Sequence, residues 1–186
     1  MSNNSHKRVV QGYVEAINNE DWEMLETLIH DDFHDEVPIS PSRAQFKINP
    51  TLEFMKLLHF DEDLIDELQR HNTGTMDKTI HIESRKIVSR WLTDWQITDM
   101  IAEDDKVWVS RVATIRDPLK LNTALSSTMK FMFKDKKIIG VEISGRYLNS
   151  LIQYGRVVVE RSKKDEIAHY MLALRNLGII PPDILN

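Results

Sequence analysis

Hydrophobic and polar positions follow two different periods along this chain, and the first is helical. From residue 5 to residue 18 apolar side chains recur at the three- and four-residue spacing of an amphipathic helix. This stripe consists of Val9, Val10, Tyr13, Val14 and Ile17. Asp21 is a typical N-cap, and a second stripe follows it: Trp22, Leu25, Leu28 and Ile29. The N-terminal part therefore predicts a helical hairpin.

The middle of the chain has a weaker pattern. We expect a short strand at about residues 33–37, then a loop that contains Pro38 and Pro41. Apolar positions between 50 and 70 indicate further helical turns on both sides of an acidic break. A polar linker with Gly74 follows, and then the spacing predicts another helix that ends near Thr93. The apolar positions of that helix are Ile87, Val88, Trp91 and Leu92.

After Trp95 the period changes to two, which predicts strands. The expected strands cover residues 96–101, 107–115 and 128–133, with tight turns at EDDK and KDKK, and a fourth strand begins at Lys137. In the fourth strand one face carries Ile139, Val141 and Ile143, and the other carries Glu142, Ser144 and Arg146. A short helix up to Gly155 and an amphipathic helix over 163–177 complete the predicted elements.

Helices followed by antiparallel strands predict an α+β fold in which a curved sheet wraps around N-terminal helices. Three segments, VEAINNEDWEMLETLIHDDFHDE, TDWQITDMIAEDDKVWV and MKFMFKDKKIIGVEISGRYLNSLIQYG, resemble SnoaL-like polyketide cyclases of the NTF2-like superfamily. The resemblance implies an NTF2-like cone (α+β barrel) with a pocket between sheet and helices, often paired as a homodimer. Residues 1–160 would form this domain, with a helical insertion at about 50–80, and residues 161–186 a C-terminal helical extension.

Composition narrows the choice of partners. The chain has 24 basic and 29 acidic residues and a net charge of −5, which disfavours binding to nucleic acid or to an anionic membrane. The lack of cysteine excludes disulfides and thiolate chemistry and fits an intracellular protein. Neither a signal peptide nor an apolar run of membrane-spanning length is evident, so we expect a cytoplasmic protein.

The position of the family's catalytic base holds an arginine here. In SnoaL-like cyclases an Asp seven residues before the Gln of the terminal motif acts as the general base. Seven residues before Gln153 lies Arg146, which stays protonated and cannot abstract a proton. An arginine there could hold a carboxylate or stabilise an enolate oxygen, and the alternative is an ion pair at the pocket rim.

Two glutamates are candidates for proton transfer. Glu142 lies four residues before Arg146 on the same face, and apolar neighbours would raise its pKa into the range that suits a general acid or base. The alternative is a solvated or interface glutamate. Glu36 occupies a position where the family often places a pocket histidine, which makes it a second candidate acid. The alternative for Glu36 is a charged strand end in water.

Large apolar side chains and one serine are candidates for substrate binding: Trp91, Trp95, Trp108, Met129, Phe131 and Ser144. His30 and His34 have metal-ligand spacing, but the helix ends between them, so we predict neither a metal nor a cofactor. Arg111 resembles the arginine of limonene epoxide hydrolases, although Val109 and Ala113 supply no carboxylate beside it, which argues against epoxide hydrolysis. For the other histidines, including His81, spacing supplies no partner, and we expect surface or satisfied roles for them.

These features support three hypotheses. The first is a cofactor-independent isomerase, cyclase or lyase that acts on a small lipophilic carbonyl compound in natural-product biosynthesis. In it Glu142 or Glu36 moves a proton and Arg146 stabilises negative charge. The second is a binding protein that keeps the pocket without the chemistry. The third is a dimeric scaffold that engages another protein through Ile167, Met171 and Leu174 of its C-terminal helix.

Overall fold

The computed structural model describes residues 2–36, 55–56, 60–71, 75–116 and 124–144. The helices are α1 (Ser2–Asn18), α2 (Trp22–Leu28), α3 (Glu62–His71) and α4 (Lys78–Ser89). The strands are β1 (His34–Glu36), β2 (Thr75–Asp77), β3 (Leu92–Glu103), β4 (Lys106–Ile115), β5 (Ala124–Lys134) and β6 (Lys137–Ser144). The predicted α+β class, with helices at the N-terminus and a curved antiparallel sheet after them, is confirmed.

The predicted helical hairpin is confirmed, and its second helix begins where the sequence indicated. The Asp21 carboxylate accepts a hydrogen bond from the Met24 backbone N–H at 2.9 Å, which satisfies one of the free donors at the start of α2. The buried face of α1 includes Val10, Tyr13 and Ile17, as the helical spacing requires. This face packs against the main sheet.

The main sheet is an antiparallel meander in the order β3-β4-β5-β6. Buried positions alternate strictly with half-buried or exposed ones along β4 and β5, because one face of each strand covers the core. The face toward the helices is called the inner face here, and the opposite one the outer face. Phe131 defines the inner face, since its ring meets Tyr13 of α1 edge to face at a centroid distance of 5.1 Å.

Two boundaries in the middle of the chain differ from the prediction. Helix α4 ends at Ser89 rather than near Thr93, and Leu92 already belongs to β3. The second half of the expected polar linker forms β2, which pairs antiparallel with β1. Asp77 ends β2 and also caps α4, since its carboxylate accepts a hydrogen bond from the Ile80 backbone N–H at 2.8 Å.

The face assignment of β6 was partly wrong, because a bulge lies within the strand. Met132 pairs with Gly140, but the next residue of β5, Phe133, pairs with Ile138, which leaves Ile139 as the extra residue. Ile138 is consequently buried, and Ile139 is only partly buried. Gly140 also lets β1 approach closely, since a Cβ there would lie 3.3 Å from the His34 carbonyl oxygen.

Several predictions fall partly or wholly outside the described residues. They include the loop with Pro38 and Pro41, the short helix before Gly155 and the helix over 163–177. Of the apolar stripe between 50 and 70, α3 covers the second half. Among the described helices, none is both long and apolar enough to cross a membrane.

Candidate active site

Strand β4 places an arginine on the inner face of the sheet. Arg111 lies between the inward positions Val109 and Ala113 and is only 2% exposed. The register of β4 and β5 sets Ser127 directly opposite, and the Arg111 Nε–H donates a hydrogen bond to the Ser127 Oγ at 3.0 Å. A guanidinium in the core is costly unless its surroundings compensate the charge, so this position is more than packing.

Trp95 lies beneath that guanidinium because β3 is irregular at this point. The pairing of β3 with β4 jumps between Thr93 and Gln96, and Asp94 has a positive φ of 54°. Asn18 holds the bulge through two hydrogen bonds of 2.8 Å, accepting from the Trp95 backbone N–H and donating to the Trp95 carbonyl oxygen. The Arg111 Cζ lies 3.6 Å from the Trp95 ring centroid, which is cation–π geometry.

Helix α4 contributes a histidine to the same interior. His81 is 1% exposed, and its Nε2 lies 2.9 Å from the hydroxyl oxygen of Tyr13 on α1. The ring of Phe33 covers the imidazole at a centroid distance of 4.5 Å. The Nδ1 atom is buried and has no hydrogen-bond partner among the described residues.

A second arginine follows one helical turn later. Arg85 stands four residues after His81, so the two side chains share one face of α4. Arg85 is 6% exposed, and its Nε has no hydrogen-bond partner among the described residues. We refer to Tyr13, His81, Arg85, Trp95, Arg111 and Ser127 as the interior cluster.

The interior cluster keeps its histidine neutral. Burial lowers the pKa of His81 well below its ordinary value, and the positive charges of Arg85 and Arg111 lower this pKa further. At neutral pH the imidazole is therefore uncharged and able to accept or relay a proton. Within the described ranges, no Asp or Glu side chain is buried.

Four of the six substrate-binding candidates lie in the interior of the protein, and their role in binding stays a prediction. Trp91, Trp95, Met129 and Phe131 are all buried, and Met129 and Phe131 lie on the inner face. Trp108 instead lies on the outer face, because its register partner is Lys130 and the two residues beside it, Val107 and Val109, point inward. Trp108 therefore does not share the face of the sheet that carries Met129 and Phe131.

Glu142 also lies on the outer face. Its register partner is Lys130, and the Lys130 Nζ lies 2.8 Å from a Glu142 carboxylate oxygen. The Glu142 side chain is 46% exposed, whereas the inward neighbour Val141 is buried beside Phe131. Glu142 therefore has neither the apolar enclosure nor the pocket location that the sequence predicted.

The remaining predicted site residues are not tested by these contacts. The backbones of Glu36 and Ser144 end β1 and β6, but their side chains and the whole of Arg146 lie outside the described part of the chain. His30 and His34 follow the end of α2 as expected. Within the described ranges no three His, Asp or Glu side chains converge on a point that could hold a metal ion.

A shallow surface groove of about 370 Å³ lies between α1 and β3. Its lining residues are Gln11, Val14, Glu15, Asn18, Asn19 and Ile97. This groove is open to solvent and contains none of the interior cluster. We therefore regard the interior cluster, rather than the groove, as the candidate active site.

Sequence reasoning missed the centre of this site. His81 was expected to have a surface or a satisfied role, and its partner Tyr13, at a separation of 68 residues, is one that spacing could not supply. A usable signal existed in β4, where an arginine interrupts the inward apolar positions Val107, Val109, Ala113 and Ile115. The spacing of His81 and Arg85 on one helix face was a second signal.

Comparison with known proteins identifies the fold of this chain. No protein-family model matches the sequence, and no curated protein matches it significantly. The structure is similar to an LEH-like epoxide hydrolase from M. tuberculosis, with 12% identity, a TM-score of 0.53, and coverage of 87% of this chain and 100% of that chain. It is also similar to a de novo designed protein with a curved β-sheet, at 9% identity, TM-score 0.52, and 84% and 99% coverage.

A third similar structure is TerC, co-crystallized with polyporic acid, at 12% identity, TM-score 0.50, and coverage of 75% of this chain and 90% of that chain. Identities this low show a common fold and leave activity open. This chain has the NTF2-like fold, an α+β architecture with helices at the N-terminus and a curved antiparallel sheet.

Proposed function

We propose that this protein is a cofactor-independent NTF2-like enzyme that moves a proton on a small lipophilic carbonyl compound. The observation that carries the proposal is the buried hydrogen bond between Tyr13 and His81, next to two buried guanidinium groups. A neutral imidazole held in place by a partner is a common general base. Guanidinium groups nearby can stabilise the oxygen that becomes negative.

The proton transfer can be written for these atoms. For His81 to act as a base, its Nε2–H donates to the Tyr13 oxygen, which leaves the lone pair on Nδ1. Nδ1 takes a proton from the carbon next to the substrate carbonyl, and the electron pair of the C–H bond moves to the carbonyl oxygen. Arg85 and Arg111 would stabilise the resulting enolate. The negative charge of the enolate would also offset the repulsion between these two guanidinium groups and the newly formed imidazolium of His81.

The substrate class rests on the resemblance to SnoaL-like cyclases and on the apolar surroundings of the interior cluster. Phe33, Met129 and Phe131 are buried around it, which suits a lipophilic molecule. We propose polyketide-like or terpenoid-like carbonyl compounds from natural-product biosynthesis. Epoxide hydrolysis, the activity in the name of one similar protein, is less favoured, since Val109, Ala113 and Ser127 around Arg111 supply no carboxylate.

The predicted roles of Glu36 and Arg146 remain compatible with this proposal. Both roles stay predictions, because the side chain of Glu36 and the whole of Arg146 lie outside the described residues. The proposed homodimer and the scaffold role of the C-terminal helix remain predictions too. The helix concerned lies beyond the described residues.

A non-catalytic binding protein is the second candidate. The interior cluster favours it in one respect, because no buried carboxylate is present in the described ranges and a histidine with a strongly lowered pKa is a weak base. Such a site could hold a ligand through Arg85, Arg111 and Trp95 without altering it. The two candidates differ in whether bound carbonyl compounds exchange their α-protons.

The experiment follows the exchange of α-protons in heavy water by proton NMR, with 2-tetralone as the probe and the rate without protein subtracted. His81→Gln should lower the exchange rate about 100-fold, a typical contribution of a general base. Glu142→Gln is the matched control on the outer face and should leave the rate unchanged.

Loss of exchange in Glu142→Gln with full activity in His81→Gln would contradict the assignment of the base. Binding of 2-tetralone without any exchange above the rate in the absence of protein would favour the non-catalytic candidate.

A further inference from the structure

The buried polar atoms left over in the interior are mainly donors. Arg85 Nε, Trp91 Nε1 and Trp95 Nε1 are buried without a hydrogen-bond partner among the described residues. Arginine and tryptophan nitrogens donate hydrogen bonds and cannot accept them. A buried donor without an acceptor costs about 1–3 kcal/mol, so these groups favour a ligand with several acceptor oxygens.

The net charge of the interior cluster also favours a ligand that carries acceptor oxygens. Arg85 and Arg111 are both buried, His81 between them is neutral, and the described ranges contain no buried Asp or Glu. Arg85 makes no ion pair in the described structure, in contrast to Arg90 at the end of the same helix, which pairs with Glu67. A buried cation needs a nearby anion or strong acceptors, because water cannot solvate it.

We infer that the ligand of the interior cluster carries a negative charge before any reaction, as a carboxylate on an apolar ring system, and that Arg85 binds this carboxylate. The inference deepens the proposed function and rests on the interior cluster being its ligand site. The planar guanidinium fork fits a carboxylate through two parallel hydrogen bonds. The Trp95 indole N–H is a further donor close to Arg111.

Binding of an anion here should be coupled to the protonation of His81. Among the described residues, the charged and titratable groups around the imidazole are Arg85 on its own helix, Arg111 on β4 and Tyr13 on α1. Both guanidinium charges oppose the imidazolium, and a bound carboxylate would offset them. A carboxylate ligand should therefore raise the pKa of His81 toward its ordinary value of 6.5, which makes the neutral imidazole a stronger base at neutral pH and leads to proton uptake only in more acidic solution. A neutral ligand of the same shape should do neither.

The test compares 2-naphthoate with its neutral isostere 2-naphthamide by isothermal titration calorimetry. Wild-type protein should bind the naphthoate at least about tenfold more tightly, since charge-assisted hydrogen bonds are about twice as strong as neutral ones. Arg85→Gln should abolish this preference, and Arg85→Lys should retain part of it. Arg90→Gln, on the exposed end of α4, is the matched control and should leave it unchanged.

Titrations in more acidic solution, in two buffers with different ionisation enthalpies, measure the proton that accompanies naphthoate. Proton uptake in wild type that disappears in His81→Gln agrees with the inference. Equal affinity for both probes, or a preference for naphthoate that survives in Arg85→Gln, overturns the inference. A carboxylate of the chain itself beside Arg85 would produce such a result. Exchange of 2-tetralone protons that depends on His81 would still support the proposed function in that case.

Discussion

The interior cluster differs from a charged surface corner at the end of α2 in how its charges are compensated. The corner consists of Asp31, Asp32, Lys78 and Lys134. In the corner each aspartate has its own lysine: Lys78 Nζ lies 2.7 Å from Asp31, and Lys134 Nζ lies 2.7 Å from Asp32. In the interior cluster two guanidinium groups and a neutral imidazole lie together without a buried carboxylate in the described ranges. The corner pairs its charges within the described residues, whereas the anion that we propose for the interior cluster is a ligand.

This difference shows why a perturbed pKa indicates a functional site in one region and not in the other. Hydrogen bonds to Lys78 and Lys134 lower the pKa of Asp31 and Asp32, respectively, yet these carboxylates are fully exposed, and water and salt screen such pairs. A perturbed pKa in the corner therefore reports a surface ion pair. A perturbed pKa at His81 reports burial next to like charge, which is typical of functional sites.

The largest effect on stability should come from Tyr13→Phe. The variant keeps the ring that packs on Phe131 but removes the hydroxyl that bonds the His81 Nε2. A buried nitrogen would lose its partner, so we expect the free energy of unfolding to fall by about 2 kcal/mol. Urea denaturation measures this, with an unchanged urea dependence as the sign of an intact fold. Unaltered stability would mean that the hydrogen bond does not form.

Arg85→Met should change the free energy of unfolding in the opposite direction to Tyr13→Phe. Because it removes a buried charge and keeps a long side chain, the variant should gain about 1 kcal/mol of stability while naphthoate binding weakens. Arg90→Met is the control, since Arg90 is exposed and paired with Glu67. A loss of stability in Arg85→Met would indicate that the guanidinium has a structural anion within the chain.

The pH dependence of stability should be smaller and should depend on His81. Its pKa is lowered in the folded state, so the unfolded chain binds the proton first, near the ordinary value of 6.5. Stability from this source is complete above that pH and declines as the pH falls below it, by at most about 1.4 kcal/mol per pH unit. Urea titrations from about pH 7.5 to about pH 5.5 should show a steeper loss in wild type than in His81→Gln. Parallel slopes would contradict a neutral buried imidazole.

The smallest effect is expected in the corner. Lys134→Ala removes the partner of Asp32 at the surface, and exposed pairs of this kind contribute little. The melting temperature should stay within the scatter of replicate measurements, at low and at high salt. A clear, salt-dependent decrease would show that the corner stabilises the fold and would weaken the contrast with the interior cluster.

Local patterns predicted the elements of this fold well. The alternation along β4 and β5 and the cap at Asp21 depend on neighbouring residues, and the structure confirms both. The bulge at Ile139 was not visible, because it depends on how β5 and β6 pair. That extra residue shifts the faces within β6, so alternation counted from one end of the strand assigns residues to the wrong face at the other.

The site was harder to predict than the fold. The contact between Tyr13 and His81 joins α1 to α4, and no spacing rule spans such a separation. Glu142 looked like a pocket acid because its own strand is apolar, whereas its partner Lys130 lies on another strand. Trp95 reaches Arg111 only through an irregular pairing that Asn18 holds in place. Tertiary contacts, rather than local propensity, decided each of these three cases.

A crystal structure of the protein with 2-naphthoate would test the central claim most directly. We predict that the naphthalene ring lies between α4 and the inner face of the sheet, with its carboxylate within hydrogen-bond distance of Arg85. A ligand bound on the outer face near Glu142, or an Asp or Glu of the chain itself in contact with the Arg85 guanidinium, would contradict the account.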